Sequence, residues 1–140
     1  MAYLLYAEDD FDDQQDFKDM LRNIDPNIRV VLVHTGQAML QYLDTLGPHE
    51  EWPFMLVMDM NMPVWDGIRT LQTLKQAPRY AGLPVIFYST SSQAGDAALA
   101  IDNGAAAFVR KPTRQDQMQG VARQWAEYCR LFLKGKSPIS

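Results

Sequence analysis

Residues 53–67, Pro-Phe-Met-Leu-Val-Met-Asp-Met-Asn-Met-Pro-Val-Trp-Asp-Gly, carry the pattern on which the fold turns. The run 54–58 is apolar at every position. That suits a strand covered on both faces of a parallel sheet, not a half-exposed strand that would alternate with polar residues. The run stops at a carboxylate, Asp59. Seven residues later Asp66 stands where a helix N-cap is needed, ahead of Ile68, Leu71 and Leu74 at helical spacing. A buried strand with an acid at its tip therefore feeds a helix.

The same unit recurs in both directions. Further apolar runs occupy 3–7, 28–33, 84–88 and 106–109. After the first, Phe17, Met20, Leu21 and Ile24 form a helical stripe stopped by Pro26. Thr35 is the expected N-cap of a helix carrying Met39, Leu43 and Leu46, ended by Gly47-Pro48. An Ala-rich helix starts near Gln93 and ends at Asn103-Gly104. The last begins at Thr113, with Met118, Val121, Ala122, Trp125, Cys129 and Phe132 on one face. Five strand–helix units with right-handed crossovers predict an α/β, flavodoxin-like (βα)5 doubly wound parallel sheet with strand order 2-1-3-4-5. One domain over 1–140 is expected, its core about 3–133 and its tail 134–140 flexible.

Composition limits the function. The chain is 47% hydrophobic and 21% charged, as in a globular protein. Its net charge of −4 gives no basic surplus for nucleic-acid phosphates. A single cysteine, Cys129, precludes an internal disulfide and suits a reducing compartment. No signal peptide or membrane-spanning run is evident, so a cytoplasmic protein with no membrane partner is expected.

Ligands of open α/β sheets bind at the carboxyl ends of the strands. Glu8 and Asp9 follow strand 1, Asp59 strand 3, Ser89 strand 4 and Lys111 strand 5. In the expected order these strands are neighbours, so the five side chains meet in one crevice. Three adjacent carboxylates repel unless a cation sits among them. An all-oxygen set points to Mg2+. Asp9 and Asp59 are the expected direct ligands, with the Asn61 backbone carbonyl, and Glu8 acting through water. Lys111 adds a fixed positive charge and Ser89 a hydroxyl. A carboxylate nucleophile at Asp59 beside a metal, a cation and a hydroxyl is a set for phosphoryl transfer. Asp10, Asp12 and Asp13 are expected to start helix 1, where acids suit its N-terminus. His34 and His49 lack a metal-ligand context. Cys129 and the methionines at 55, 58, 60 and 62 read as packing residues.

At these residues the sequence resembles the receiver domain of two-component response regulators (the CheY-like family). The pieces are Glu8-Asp9, Asp59-Met-Asn-Met-Pro63 with Asp66-Gly67, Ser89 and Lys111-Pro112. The resemblance implies that Asp59 accepts phosphate from a phosphohistidine of a sensor histidine kinase or phosphotransfer protein, and that the domain catalyses this transfer and later hydrolyses the acyl phosphate. It also implies a cis Lys111-Pro112 bond and a switch pairing Ser89 with Phe108. That switch would reshape the face of helix 4, strand 5 and helix 5 for a downstream protein or a homodimer. The chain is similar to stand-alone receivers that act by docking. The insertion 47–53, the run 89–92 and the aromatic late helix 5 are similar to those of phytochrome-associated regulators. Two other functions use related parts. A flavodoxin-like electron carrier would need a hydroxyl-rich loop where Glu8-Asp9-Asp10 stands. A phosphohydrolase would need an acid at the position of Asn61. A phosphate-independent adaptor built on the same domain is the remaining alternative.

Overall fold

A computed structural model describes residues 2–62, 64–91 and 93–134 of the 140. Pro63, Ser92 and the expected tail from 135 onward lie outside them. The strands are β1 (Tyr3–Ala7), β2 (Arg29–Val33), β3 (Leu56–Met58), β4 (Val85–Ser89) and β5 (Ala107–Arg110). Between and after them run α1 (Phe11–Ile24), α2 (Gly36–Asp44), α3 (Gly67–Gln76), α4 (Ala94–Asp102) and α5 (Met118–Lys134). All strand pairs are parallel and the order is β2-β1-β3-β4-β5, as the alternating pattern predicts. Every residue of β1, β3 and β4 is buried, which accounts for their unbroken apolar runs.

Two cores flank the sheet. Tyr6, Tyr88 and Val109 pack with Phe17 of α1 and with Val121, Trp125 and Cys129 of α5. On the opposite face Leu5, Leu56 and Phe87 pack with Met39, Leu43, Leu71, Leu74 and Ala100 from α2, α3 and α4. Cys129 is thus a core residue. Among the described residues no helix is long and apolar enough to cross a membrane.

Local signals set the helix ends. The Asp10 carboxylate accepts the N–H groups of Asp12 and Asp13, the Thr35 hydroxyl accepts Ala38 N–H, and Asp66 accepts Arg69 N–H. Gly104 follows the C-cap Asn103 of α4 with φ of 104°, a conformation only glycine adopts without strain. Helix α5 starts later than Thr113. Gln117 Oε1 accepts the N–H groups of both Thr113 and Arg114, which ties this stretch into a short 3-10 turn over Gln115–Gln117 before the α-helix proper. The helix then continues through Lys134, where a tail was expected. Its broad apolar face is only partly covered: Met118 and Leu131 are exposed, while Ala126 and Leu133 are half-buried.

One glycine anchors the site-bearing loop. A Cβ on Gly67 would lie 2.4 Å from Phe87 Cε1 and 2.6 Å from the carbonyl oxygen of Asp59. The first turn of α3 therefore rests directly on the tip of β3. Gly67→Ala is expected to lower the unfolding free energy by about 2 kcal/mol, because backbone must shift to admit the methyl. Urea unfolding with an unchanged midpoint would contradict that contact.

Candidate functional site

The carboxyl ends of β1, β3, β4 and β5 bring Glu8, Asp59, Ser89 and Lys111 together. All four are buried, an unusual state for the three that carry charge. They are buried because they pair. Lys111 Nζ donates to Glu8 Oε1 at 2.8 Å, to Asp59 Oδ2 at 2.9 Å and to Asp13 Oδ2 at 2.9 Å. All three ammonium hydrogens are thereby used.

Asp13, expected only to help start helix 1, joins the group. With Asp10 as N-cap, Asp13 is the third residue of α1. Side chains there lean back toward the helix N-terminus, which here means toward the tip of β1. Carboxylate oxygens of Glu8, Asp13 and Asp59 lie within 4.8 Å of one another. Asp9, by contrast, is exposed and stands outside this group. Both follow the end of β1, and Asp9, one residue farther along the chain, is solvent-facing where Glu8 is buried.

The supporting contacts fix the acids. Asp59 Oδ1 accepts Asn61 N–H at 3.0 Å, so the loop after β3 holds the carboxylate from behind. Gln14 Nε2 donates to the Glu8 carbonyl at 2.6 Å and sits 3.1 Å from His34 Nδ1. Ser89 Oγ accepts Ser91 N–H at 3.3 Å, and the Ser91 hydroxyl donates to Asp96. Lys111 N–H donates to the Ser89 carbonyl at 2.8 Å, continuing the β4–β5 ladder to the lysine. Phe108 is half-buried and stacks on Phe87 with centroids 6.3 Å apart. It borders a cavity of about 370 Å3 shared with Ala97, Lys111 and Val121.

Three carboxylates face one lysine, so the group is short of positive charge. Burial pushes the Glu8 carboxyl up from 4.5 to about 8, with Asp13 and Asp59 adding to the rise and Lys111 opposing it. Burial works the same way on Asp13, but the Lys111 ammonium, with the neighbouring Glu8 carboxyl, outweighs it and holds it below the usual range. For Lys111 burial favours the neutral amine, and the surrounding carboxylates more than offset this, raising its affinity for the proton. Glu8 Oε2 is buried with no hydrogen-bond partner. A buried unpaired carboxylate oxygen within a set of oxygens alone fits a hard divalent cation.

A family model for the response regulator receiver domain matches residues 4–123. The chain belongs to the response regulator receiver family. Response regulator Rcp1 of Synechocystis sp. is 23% identical over 130 residues, covering 89% of this chain and 88% of Rcp1. Response regulator Rre1 of the same organism is 32% identical over 71 residues, or 51% of this chain, which spans only 31% of Rre1. Among solved structures, the phosphorylated cyanobacterial phytochrome response regulator RcpA superposes with a TM-score of 0.80 at 22% identity, covering 97% of this chain and 96% of RcpA. The Mn2+-bound form of Rcp1 gives 0.79 at 21%, covering 91% and 94%. These structural likenesses concern the receiver fold. One expectation drawn from the family differs here: the Lys111–Pro112 bond is trans, since no peptide bond among the described residues is cis. Trans is the form that an X–Pro bond favours unless its surroundings impose the other.

The Glu8 shift fixes a pH dependence. A carboxyl whose folded value lies above its unfolded one binds its proton more tightly when folded, so its contribution is present below about 4.5 and lost as pH rises through about 8. In magnesium-free buffer the stability of the receiver should therefore fall over that interval relative to Glu8→Gln, which carries no proton to lose. Parallel urea-unfolding profiles for the two proteins at pH 5 and pH 8.5 would refute it.

Proposed function

We propose that this receiver accepts a phosphoryl group on Asp59 and uses it as a conformational signal in a two-component phosphorelay. The observation that carries this reading is the Lys111–Glu8–Asp13–Asp59 cluster, buried except for the half-buried Asp13, in which one carboxylate ends the central strand and is flanked by a fixed cation. Glu8, Asp13 and Asp59 are the proposed carboxylates for Mg2+, with exposed Asp9 and the Asn61 carbonyl completing the candidate set. When bound, Mg2+ supplies charge neutralisation for the phosphoryl oxygens.

Asp59 attacks phosphorus, a new P–O bond forms, and the P–N bond to the donor histidine breaks. The protein makes few bonds in such a transfer, and its task is placement and charge. Asn61 N–H orients the nucleophile through Oδ1. With Mg2+ held by these carboxylates, Lys111 would be free to neutralise charge on the transferring group. The Ser89 hydroxyl, buried one strand away, donates to a phosphoryl oxygen. Its movement frees space that Phe108 fills from its half-buried position, changing the α4-β5-α5 face. Exposed Leu99 and Ile101 on α4 offer apolar surface there for a downstream protein or a second copy. The donor is a sensor histidine kinase or phosphotransfer protein. Because RcpA is a phytochrome response regulator, a phytochrome-type kinase is the donor to test first.

Incubation with acetyl phosphate and Mg2+ should add one phosphoryl group by intact-protein mass spectrometry. Asp59→Asn and chelation of the metal should each abolish the addition. Lys111→Met should slow it by about 100-fold, the cost of removing one preorganised charge-stabilising donor. Undiminished labelling of Asp59→Asn would place the acceptor elsewhere.

A further inference from the structure

Three of the groups around Lys111 are those that phosphoryl transfer takes away. A cation held here would draw on the oxygens of Glu8, Asp13 and Asp59, and the transfer converts the Asp59 carboxylate to an acyl phosphate. A fourth neighbour does not change. The ring centroid of Tyr88 lies 5.7 Å from Lys111 Nζ, within the range at which the negative face of an aromatic ring attracts an ammonium.

The sheet places this ring by register. Tyr88 pairs with Val109 across β4 and β5. Side chains alternate along a strand, so Lys111, two residues beyond Val109, leaves the same face as Tyr88. Ser89 points to the other face, which separates the hydroxyl of the proposed switch from the ring beneath the lysine. Tyr88 is itself clamped. Trp125 meets it edge-on at 5.2 Å and 87°, and Phe17 packs against it at 5.5 Å. Trp125 and Phe17 also touch each other at 5.0 Å. All three rings are buried, so Tyr88 has nowhere to turn.

We infer that Tyr88 is a positioning residue for Lys111: its buried ring face holds the ammonium at the site while the carboxylates are engaged by the cation and the phosphoryl group. This rests on the phosphoacceptor reading above and adds to it a determinant of the transfer rate that lies on the α1–α5 side of the sheet. Fluorination leaves the ring's shape and packing almost unchanged while weakening its negative face, so packing and positioning make different predictions.

The test is a fluorinated phenylalanine series at position 88, made by nonsense suppression, with phosphorylation by acetyl phosphate followed at saturating Mg2+. Fluorine depletes the ring face while barely changing its volume. The rate should fall stepwise from Tyr88→Phe to the trifluorinated ring, by roughly fivefold in all, with Tyr88→Leu at the low end. The same series in a Lys111→Met background should show no trend. A flat series in the Lys111 protein overturns the positioning role and leaves the phosphoacceptor reading intact. Absence of phosphoryl uptake by the unsubstituted protein removes both.

Discussion

Everything at this site stems from crowding three carboxylates, two of them buried and one half-buried, around a single buried ammonium. Such a group is a balance. Remove the lysine and the acids cannot all stay charged; remove the acids and a buried cation is stranded. The arrangement is saturated on the lysine side, where every hydrogen is committed, and unsatisfied on the acid side, where Glu8 Oε2 has no partner. That asymmetry gives the site its appetite for a further positive charge.

The fold exists, in effect, to hold this balance. A doubly wound sheet lines up the tips of β1, β3, β4 and β5, so residues far apart in sequence end on one rim. Contacts behind the rim remove slack: Asn61 grips Asp59, Gln14 grips the backbone of Glu8, and Gly67 lets α3 sit on the carbonyl of Asp59. On one side of the sheet lies the Phe87–Phe108 pair, and on the other the Phe17–Tyr88–Trp125 cluster. The rim is thus bordered by aromatic packing on both faces, tightly clamped at Tyr88 and half-open at Phe108.

Much of this was legible in the chain. Unbroken apolar runs marked the buried parallel strands, and the polar residues at their carboxyl ends included Glu8, Asp59, Ser89 and Lys111. Asp13 was hidden because an acid in the first turn of a helix has an ordinary explanation, the helix dipole. The clue was in the cap. Once Asp10 is recognised as N-cap, the third helical residue must lean back over the strand tip. Asp9, expected beside Glu8, is exposed at the edge of the group and not within it. The late start of α5 depended on one glutamine side chain folding back on two amides, an interaction that no apolar periodicity encodes. Tyr88 read simply as part of an apolar run, and its relation to Lys111 appears only when β4 and β5 are set in register.

The bond between Lys111 and Glu8 spans 103 residues of chain. During synthesis the acids of β1, α1 and β3 emerge long before the cation that reconciles them, so a nascent chain lacking β5 carries the repulsion without the remedy. Docking of the final strand is then the step that makes the rim tolerable, and it closes the longest loop in the site. Truncated products would be left acidic at the rim, with an unpaired edge along β4.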